Sequence, residues 1–232
     1  MTNLTSDHLQ LAALDFPRRP AAPVFVVPRE SGYGRYVKRP LDVVLATVAI
    51  VALSPVLLAV ALSIPFALGP GGVIYRQQRI GRNGETFTIF KFRSMLRDRR
   101  VASSPTPYIG PERRSSHKSR NDPRHTPYGR LLRSTSLDEL PQLFNILRGD
   151  MSLVGPRPEL VVVARQEGFA SHPRHLTRPG LTGSFQVSPL RSGNRISAGL
   201  HLDLAYVANV TFAGDLRILL RTVLIPFLRR GS

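Results

Sequence analysis

The sequence predicts an α+β protein that is mainly helical and contains one β-hairpin. It also predicts attachment to a membrane by a re-entrant helix-break-helix segment and interfacial amphipathic helices. Three observations support this fold class. No charged side chain occurs between Val43 and Tyr75, a run of 33 residues. Two stretches of strand-forming residues flank an Asn-Gly turn, and apolar residues recur at helical spacing in the second half of the chain.

Composition limits what the chain binds and where it works. Its 232 residues carry 32 Lys and Arg against 15 Asp and Glu, a net charge of +17, and only three of the basic residues are Lys. The guanidinium fork of Arg binds phosphate bidentately, so this bias indicates phosphate-bearing partners. The absence of Cys excludes disulfides, thiol nucleophiles and Cys-based zinc sites. It fits a chain whose soluble parts stay in the cytosol.

The first 70 residues form two predicted regions. Residues 1–35 contain four Pro and no sustained apolar periodicity, which predicts a flexible tail. Residues 36–70 contain the apolar run Leu41–Leu68, which starts too late and is too long for a signal peptide. Ser54-Pro55 divides this run into two halves. As a helix, each half is about 21 Å long and therefore shorter than the roughly 30 Å hydrocarbon core.

The residues that flank this run favour a helix that enters and leaves the membrane on one face. An interior proline removes a helical hydrogen bond, and basic residues mark the cytoplasmic side of a membrane protein. Both flanks are basic: Lys38 and Arg39 precede the run, and it is followed by Arg76, Arg79 and Arg82. A re-entrant helix broken at Ser54-Pro55 satisfies both rules. A plain transmembrane helix with a tolerated proline remains the alternative.

Residues 71–232 form the predicted cytoplasmic domain, which begins with the β-hairpin. The strands are Tyr75–Ile80 and Thr86–Phe92, joined by a turn at 82–84. Lys91 and Arg93 are two residues apart, so they are predicted to share one face of the second strand.

Loops and helices fill the rest of this domain. Residues 97–124 are rich in Arg, Ser and Pro and predict a loop, whereas apolar spacing predicts a helix that ends at Gly149. Phe212–Arg230 predicts an amphipathic helix whose Arg residues suit an anionic membrane surface. A proline separates His172 from His175, which favours solvated loop residues over a metal-binding pair.

Asp138-Glu139 lies among basic residues and has two interpretations. Ser136 and Glu139 have the spacing of a capping box, in which acids in a first helical turn suit the helix dipole. Pro141 conflicts with this, because it would occupy a position where a helical N–H is needed. Alternatively, Asp138 is a nucleophile for phosphoryl transfer, a reaction that needs cations around the phosphate. The candidate cations are Lys91, Arg93, Arg133, Arg157 and Arg178.

Several motifs occur in one order along the chain. They are Lys38-Arg39-Pro40-Leu41-Asp42, Ser54-Pro55, Lys91-Phe92-Arg93-Ser94-Met95, Ser136-Leu137-Asp138-Glu139-Leu140-Pro141-Gln142, Gly155-Pro156-Arg157-Pro158 and Arg178-Pro179-Gly180-Leu181-Thr182-Gly183. In this order they resemble the bacterial sugar transferases, also called monotopic phosphoglycosyl transferases or polyprenyl-phosphate hexose-1-phosphate transferases. The resemblance extends from about Tyr36 to Leu228. It points to the short form, without the four-helix N-terminal membrane domain of many relatives.

The resemblance implies a specific reaction. Sugar-1-phosphate is transferred from a nucleotide sugar, usually linked to UDP, to undecaprenyl phosphate, and UMP is released. The transfer goes through a covalent phosphosugar-aspartate intermediate. This step initiates the synthesis of exopolysaccharide, O-antigen or other glycoconjugates at the cytoplasmic face of the bacterial inner membrane.

The resemblance also assigns the site by position. Asp138 matches the nucleophile and Glu139 its partner, and Mg²⁺ is the family's metal, expected beside these two carboxylates. Lys91, Arg157, Arg178 and Asp203 match the surrounding functional positions. Together with Arg93, they are predicted to bind the nucleotide and the substrate phosphates.

Partners and alternative functions follow from the same features. The expected partners are a nucleotide sugar, undecaprenyl phosphate and an anionic lipid bilayer, and a homodimer is left open. A catalytically silent membrane-anchored scaffold of polysaccharide assembly is one alternative, against which the complete Asp-Glu dyad argues. A membrane-tethered nucleic-acid binder is the other. It rests on charge alone and lacks aromatic residues interleaved with the basic ones, so no nucleic-acid partner is expected.

Overall fold

The computed structural model describes residues 31–96, 124–166, 171–191 and 199–228. The predicted tail therefore lies outside the described residues except at its end, and so does the predicted Arg-rich loop except for Arg124. The described part is α+β and mainly helical, as predicted, with two small two-stranded sheets.

The longest element is α1 (Lys38–Leu68), which follows a short π-helical turn at Tyr33–Val37. Helical structure continues through Pro55, so the predicted break at Ser54-Pro55 stays a prediction. The Ser54 hydroxyl donates a hydrogen bond of 2.8 Å to the carbonyl of Val51. In a regular helix the N–H of residue 55 would donate to that carbonyl, but proline has no N–H. The Ser54 hydroxyl therefore supplies the missing hydrogen bond.

Both ends of α1 pack against the rest of the described domain. Ala46 joins a core formed by Ile89, Leu143, Ile146 and Met151, and residues near the other end of the helix join a second core. That second core contains Val60, Ile64, Leu68, Phe92 and Leu132. No residue between Thr47 and Ala59 is buried. Ala49, Ile50 and Leu57 contact the two cores from this stretch, and most of its other residues are exposed and apolar.

The segment Tyr33–Leu68 is long and apolar enough to cross a membrane, and only 11% of its apolar window is buried. A core helix of a soluble protein would be mostly buried, which this one is not. Length and composition thus agree with the predicted membrane segment.

The predicted β-hairpin is confirmed. Strands β1 (Ile74–Ile80) and β2 (Thr86–Phe92) pair antiparallel, with Ile74 opposite Phe92 and Ile80 opposite Thr86. Asn83 in the turn has a φ of 55°, a left-handed conformation that Asn tolerates well.

Four further elements follow the hairpin. They are α2 (Pro127–Ser134), α3 (Gln142–Arg148), β3 (Ser152–Val154) and α4 (Val161–Gln166). A 3₁₀ turn, Leu137–Glu139, separates α2 from α3. Gly149 ends α3 with a φ of 94°, which confirms the predicted helix end.

The last elements are β4 (Gly180–Thr182), α5 (Leu200–Ala208) and α6 (Phe212–Leu228). Strand β4 pairs in parallel with β3, and this small sheet was not predicted. A Cβ at Gly155 would lie 2.4 Å from the carbonyl oxygen of Arg178, so only Gly allows the two loops to approach this closely. Helix α6 occupies the segment that was predicted to be an amphipathic helix; it buries Asp215 and Ile218 and leaves several apolar residues exposed, and its contact with a membrane surface stays a prediction.

Candidate active site

The two carboxylates of the dyad lie in the 3₁₀ turn between α2 and α3. Ser136 precedes this turn in the left-handed conformation, with a φ of 59°, and makes no side-chain cap bond. Pro141 is the residue before α3, a position where no N–H is needed. The capping-box interpretation is therefore wrong.

Glu139 faces two cations. Its Oε1 accepts a hydrogen bond of 2.7 Å from Nζ of Lys91 and lies 3.7 Å from a terminal nitrogen of Arg157. Lys91 reaches it from strand β2, and Arg157 from the loop after β3. Burial lowers the pKa of Lys91, and Glu139 opposes that shift. The structure thus brings Lys91 and Arg157 together with Glu139, and their predicted roles in binding substrate stay predictions.

Asp138 is only 7% exposed, and burial is the main cause that raises its pKa to about 6. Repulsion from Glu139 raises the pKa further, whereas Lys91, Arg133 and Arg157 lower it. The carboxylate of Asp138 is thus held close to three cations but poorly solvated. An anion in such surroundings is more reactive towards an electrophile than one in water.

With divalent cations removed by a chelator, the stability difference between the wild type and Asp138→Asn should depend on pH. The folded state holds a proton on Asp138 up to about pH 6, whereas the unfolded chain releases it near pH 4. The contribution of protonated Asp138 to the unfolding free energy is therefore fully present below pH 4, and it is lost as the pH rises through 6. We expect Asp138→Asn to gain about 3 kcal/mol in unfolding free energy over the wild type between pH 4 and pH 7.

Denaturant unfolding in detergent micelles measures this difference, and Glu85→Gln is the matched control because Glu85 is exposed. A difference that stays constant over this pH range would contradict the raised pKa.

Asn145 fixes α3, and with it the dyad, against strand β2. It is fully buried, its Oδ1 accepts from the amide of Phe90 at 2.9 Å, and its Nδ2 donates to the carbonyl of Thr88 at 2.7 Å. The side-chain amide thus bonds the outer edge of β2 as another strand would. This holds Lys91, the residue after Phe90, in register with Glu139. The sequence analysis assigned no role to Asn145.

A small cleft, with a volume of about 10 Å³, lies beside Glu139. Its lining includes Lys91, Glu139 and Arg157, together with Arg79 and Gln142, which were not predicted as site residues. Arg79 donates to the carbonyl of Pro158 at 3.3 Å and so contacts the loop that carries Arg157. No local sequence signal distinguishes Arg79 from the other basic residues of the hairpin.

Asp203 lies behind this cleft in a buried ionic cluster. Its Oδ2 accepts a bond of 2.7 Å from Arg174, whose side chain is only 1% exposed. Arg174 also lies 3.5 Å from Glu159 and donates to the backbone carbonyl of Arg157 at 3.0 Å. These contacts make Asp203 a residue that positions Arg157 through Arg174. The sequence analysis missed both Arg174 and Glu159.

The neighbouring histidines do not match the expectation of solvated loop residues. His175 is buried, with 6% exposure, and Nδ1 of His172 accepts a hydrogen bond from the backbone amide of Arg174. Burial lowers the pKa of His172, and so does the charge of Arg174. Both therefore belong to the packing around the ionic cluster.

Of the other three predicted cations, Arg133 acts on the charge of Asp138, whereas Arg93 and Arg178 contact backbone carbonyls. Arg93 donates to the carbonyls of Gly69 and Pro70, just after α1. Nε of Arg178 donates to the carbonyl of Gly149, at the end of α3 that is farthest from the dyad. The roles predicted for Arg93 and Arg178 in substrate binding stay predictions.

The donor set of the dyad suits magnesium. Within the described ranges, no group of three or more His, Cys, Asp and Glu residues could hold a metal. Mg²⁺ is usually held by one or two carboxylates together with water and substrate phosphates. Asp138 and Glu139 supply two such carboxylates and repel each other, so a divalent cation between them and a phosphorylated substrate fits these residues.

A carboxylate pair that faces Lys and Arg, in a domain carried by a long apolar helix, suits an enzyme that transfers phosphorylated groups at a membrane. The family model described as bacterial sugar transferase matches residues 33–229. The chain therefore belongs to the bacterial sugar transferase family.

Three relatives illustrate how the similarity is distributed. An exopolysaccharide production protein ExoY of Sinorhizobium fredii is 40% identical over 92% of this chain and 97% of its own length. The UDP-glucose:undecaprenyl-phosphate glucose-1-phosphate transferase of Escherichia coli is 36% identical over 92% of this chain. The undecaprenyl-phosphate galactose phosphotransferase of Salmonella typhimurium is 37% identical over 85% of it. The chain spans 45% and 42% of the last two proteins.

Proposed function

We propose that this chain transfers a sugar-1-phosphate from a UDP-sugar to undecaprenyl phosphate, with Asp138 as the nucleophile. The observation that carries the proposal is the dyad itself: Asp138 is buried, and Lys91 and Arg157 face the partly buried Glu139 beside a small cleft. The names of the Escherichia coli and Salmonella relatives support the acceptor and the reaction class.

The reaction has two steps. A carboxylate oxygen of Asp138 attacks the phosphorus that carries the sugar, the bond from this phosphorus to the bridging oxygen breaks, and UMP leaves. A phosphate oxygen of the acceptor lipid then attacks the same phosphorus, which releases the Asp138 carboxylate and forms a lipid diphosphate sugar. Splitting one difficult displacement into two is the purpose of the covalent intermediate.

The charged residues around the dyad serve these steps in different ways. Lys91 and Arg157 neutralise the charge that spreads over the phosphate oxygens as bonds form and break. Glu139 holds both cations in place, and Arg174 supports the loop of Arg157 from behind. Magnesium, when bound by Asp138 and Glu139, would neutralise the diphosphate and the leaving UMP.

We further propose that α1 enters and leaves the membrane on the cytoplasmic face of the bacterial inner membrane. Both ends of α1 pack on the same domain while its middle is exposed and apolar. A straight helix of this length would measure about 47 Å, well beyond the hydrocarbon core, so a bent path also fits its length.

A panel of UDP-sugars tests the proposed reaction. Membranes that contain the chain are incubated with radiolabelled polyprenyl phosphate and each donor, beginning with UDP-glucose and UDP-galactose. We expect one donor to give UMP and a labelled lipid diphosphate sugar. Asp138→Asn membranes are the control, and no product with any donor would contradict the proposal.

Replacing Ser54-Pro55 with Leu-Leu should convert the membrane segment to a spanning helix. The change restores a helical N–H, removes the proline and lengthens the continuous apolar run. The chain contains no Cys, so single Cys residues at Tyr36 and Glu85 report the side of each flank. We expect both to be labelled from the cytoplasmic side in the wild type and on opposite sides in the variant.

The matched control replaces Val51-Ala52 with Leu-Leu, because this keeps the proline in the same exposed stretch. Labelling on opposite sides in the wild type would mean that α1 spans the membrane.

A further inference from the structure

A second cavity lies at the end of α3 that is farthest from the dyad. It has a volume of about 630 Å³ and is lined by residues that precede and begin α1, by the hairpin turn, and by the segment before β4. Pockets of 300–1,000 Å³ hold ligands of the size of a small organic molecule. The mechanism proposed above does not use this cavity.

Its lining is strongly basic. Five cations line it against a single acid, Asp42; they are Arg35, Lys38, Arg39, Arg82 and Arg178. Lys38 is neutralised by Asp215 at 2.6 Å, with Asp42 at 3.9 Å. Within the described residues, Arg39 and Arg178 bond backbone carbonyls alone, those of Ile146, Leu147 and Gly149. The cavity therefore holds a surplus of positive charge.

Two groups in the cavity have donors to offer. Among the described residues, Arg178 donates a hydrogen bond through its Nε alone. Its two terminal nitrogens therefore have no hydrogen-bond partner within the described chain. The hydroxyl oxygen of Thr177, which also lines the cavity, is buried and has no hydrogen-bond partner among the residues that the structure describes. Besides burial, the charges of Arg82 and Arg39 lower the pKa of Arg178, so an anion among the three would relieve their repulsion.

We propose that this cavity binds the phosphate of an anionic membrane phospholipid, with Arg178, Arg82 and Thr177 as its ligands. The fork of Arg matches two phosphate oxygens, and Arg39 adds a third cation. The cavity borders Lys38 and Arg39, just before the apolar run, at the level where lipid headgroups lie. The inference rests on the membrane attachment in the proposed function.

This site is separate from the catalytic one. Helix α3 has seven residues and is about 10 Å long, with the dyad before its first turn and the carbonyls bonded by Arg39 and Arg178 at its end. A phosphate in the cavity is therefore out of reach of Asp138. The bound phospholipid would instead hold the start of α1 and the hairpin at the membrane surface.

Native mass spectrometry of the full chain in neutral detergent tests the proposal. The protein is titrated with phosphatidylglycerol, phosphatidylcholine or inorganic phosphate, without any nucleotide sugar. We expect one phosphatidylglycerol to be retained at concentrations at which phosphatidylcholine is not. The double variant Arg82→Gln/Thr177→Val should need at least ten-fold more phosphatidylglycerol. The matched control Arg76→Gln/Thr86→Val changes two exposed residues of the same hairpin and should behave as the wild type.

Equal retention by both double variants would overturn the proposal. Inorganic phosphate that displaces the lipid at equal concentration would also overturn it, because the site would then take free phosphate. Asp138→Asn should retain phosphatidylglycerol as the wild type does. Lipid binding is thus measured independently of turnover, and an incorrect proposed reaction would leave this result unchanged.

Discussion

Asp138→Asn should abolish UMP release from the UDP-sugar even when no acceptor lipid is present. Asn keeps the shape of the side chain but has no anionic oxygen to attack phosphorus, so the first step is blocked. We expect the rate to fall by at least about a thousand-fold, because a covalent route is lost and not merely weakened. If Asp138 only stabilised a helix end, the same change would cost about 1 kcal/mol of stability and leave turnover intact.

Trapping the intermediate makes this prediction specific. Wild-type protein incubated with donor alone should gain the mass of one sugar-phosphate, and peptide mapping should place it on Asp138. Glu85→Gln is the matched control, since Glu85 is an exposed acid in the hairpin turn region. An adduct on another residue, or wild-type release of UMP by Asp138→Asn, would contradict the assignment.

Local signals in the sequence predicted the elements that depend on local chemistry. The hairpin was predicted from its turn, and the end of α3 from Gly149, because both depend on which residues accept a left-handed backbone. Asp138-Glu139 was found as a candidate because acids are scarce among its basic neighbours. Lys91 and Arg157 were two of five candidate cations, and the resemblance to the sugar transferases matched them to functional positions.

Other features depend on contacts between distant segments and leave no local signal. Strands β3 and β4 have three residues each and pair across a long stretch of chain. Arg93 was predicted to share a face with Lys91, and its backbone amide still pairs with the carbonyl of Val73 at 2.8 Å, but the two side chains contact different groups. The guanidinium of Arg93 bonds the carbonyls that follow α1.

Arg174 shows most clearly what sequence patterns miss. It lies between two histidines in a short 3₁₀ turn, and a charged residue in such a segment is usually predicted to be exposed to solvent. Its side chain is nevertheless 1% exposed and faces both Glu159 and Asp203, at 3.5 and 2.7 Å. Losing a buried cation that faces two carboxylates destabilises a protein far more than losing one partner of a surface ion pair.

Arg174→Met should therefore lower the unfolding free energy by about 3–5 kcal/mol, because it leaves two buried carboxylates without the guanidinium between them. The matched control is Arg148→Met. The Arg148 side chain is 60% exposed and lies 3.5 Å from Asp150, and its loss should cost at most about 1 kcal/mol. Denaturant unfolding in the same detergent measures both variants.

A second readout separates packing from charge. Arg174 donates to the carbonyl of Arg157, so Arg174→Met should slow UMP release even where the protein is still folded. Adding Glu159→Gln and Asp203→Asn to Arg174→Met removes both buried charges, and should recover part of the lost stability without restoring activity. If Arg174→Met costs no more stability than Arg148→Met, the buried cluster does not hold the loop of Arg157, and Asp203 must act in another way.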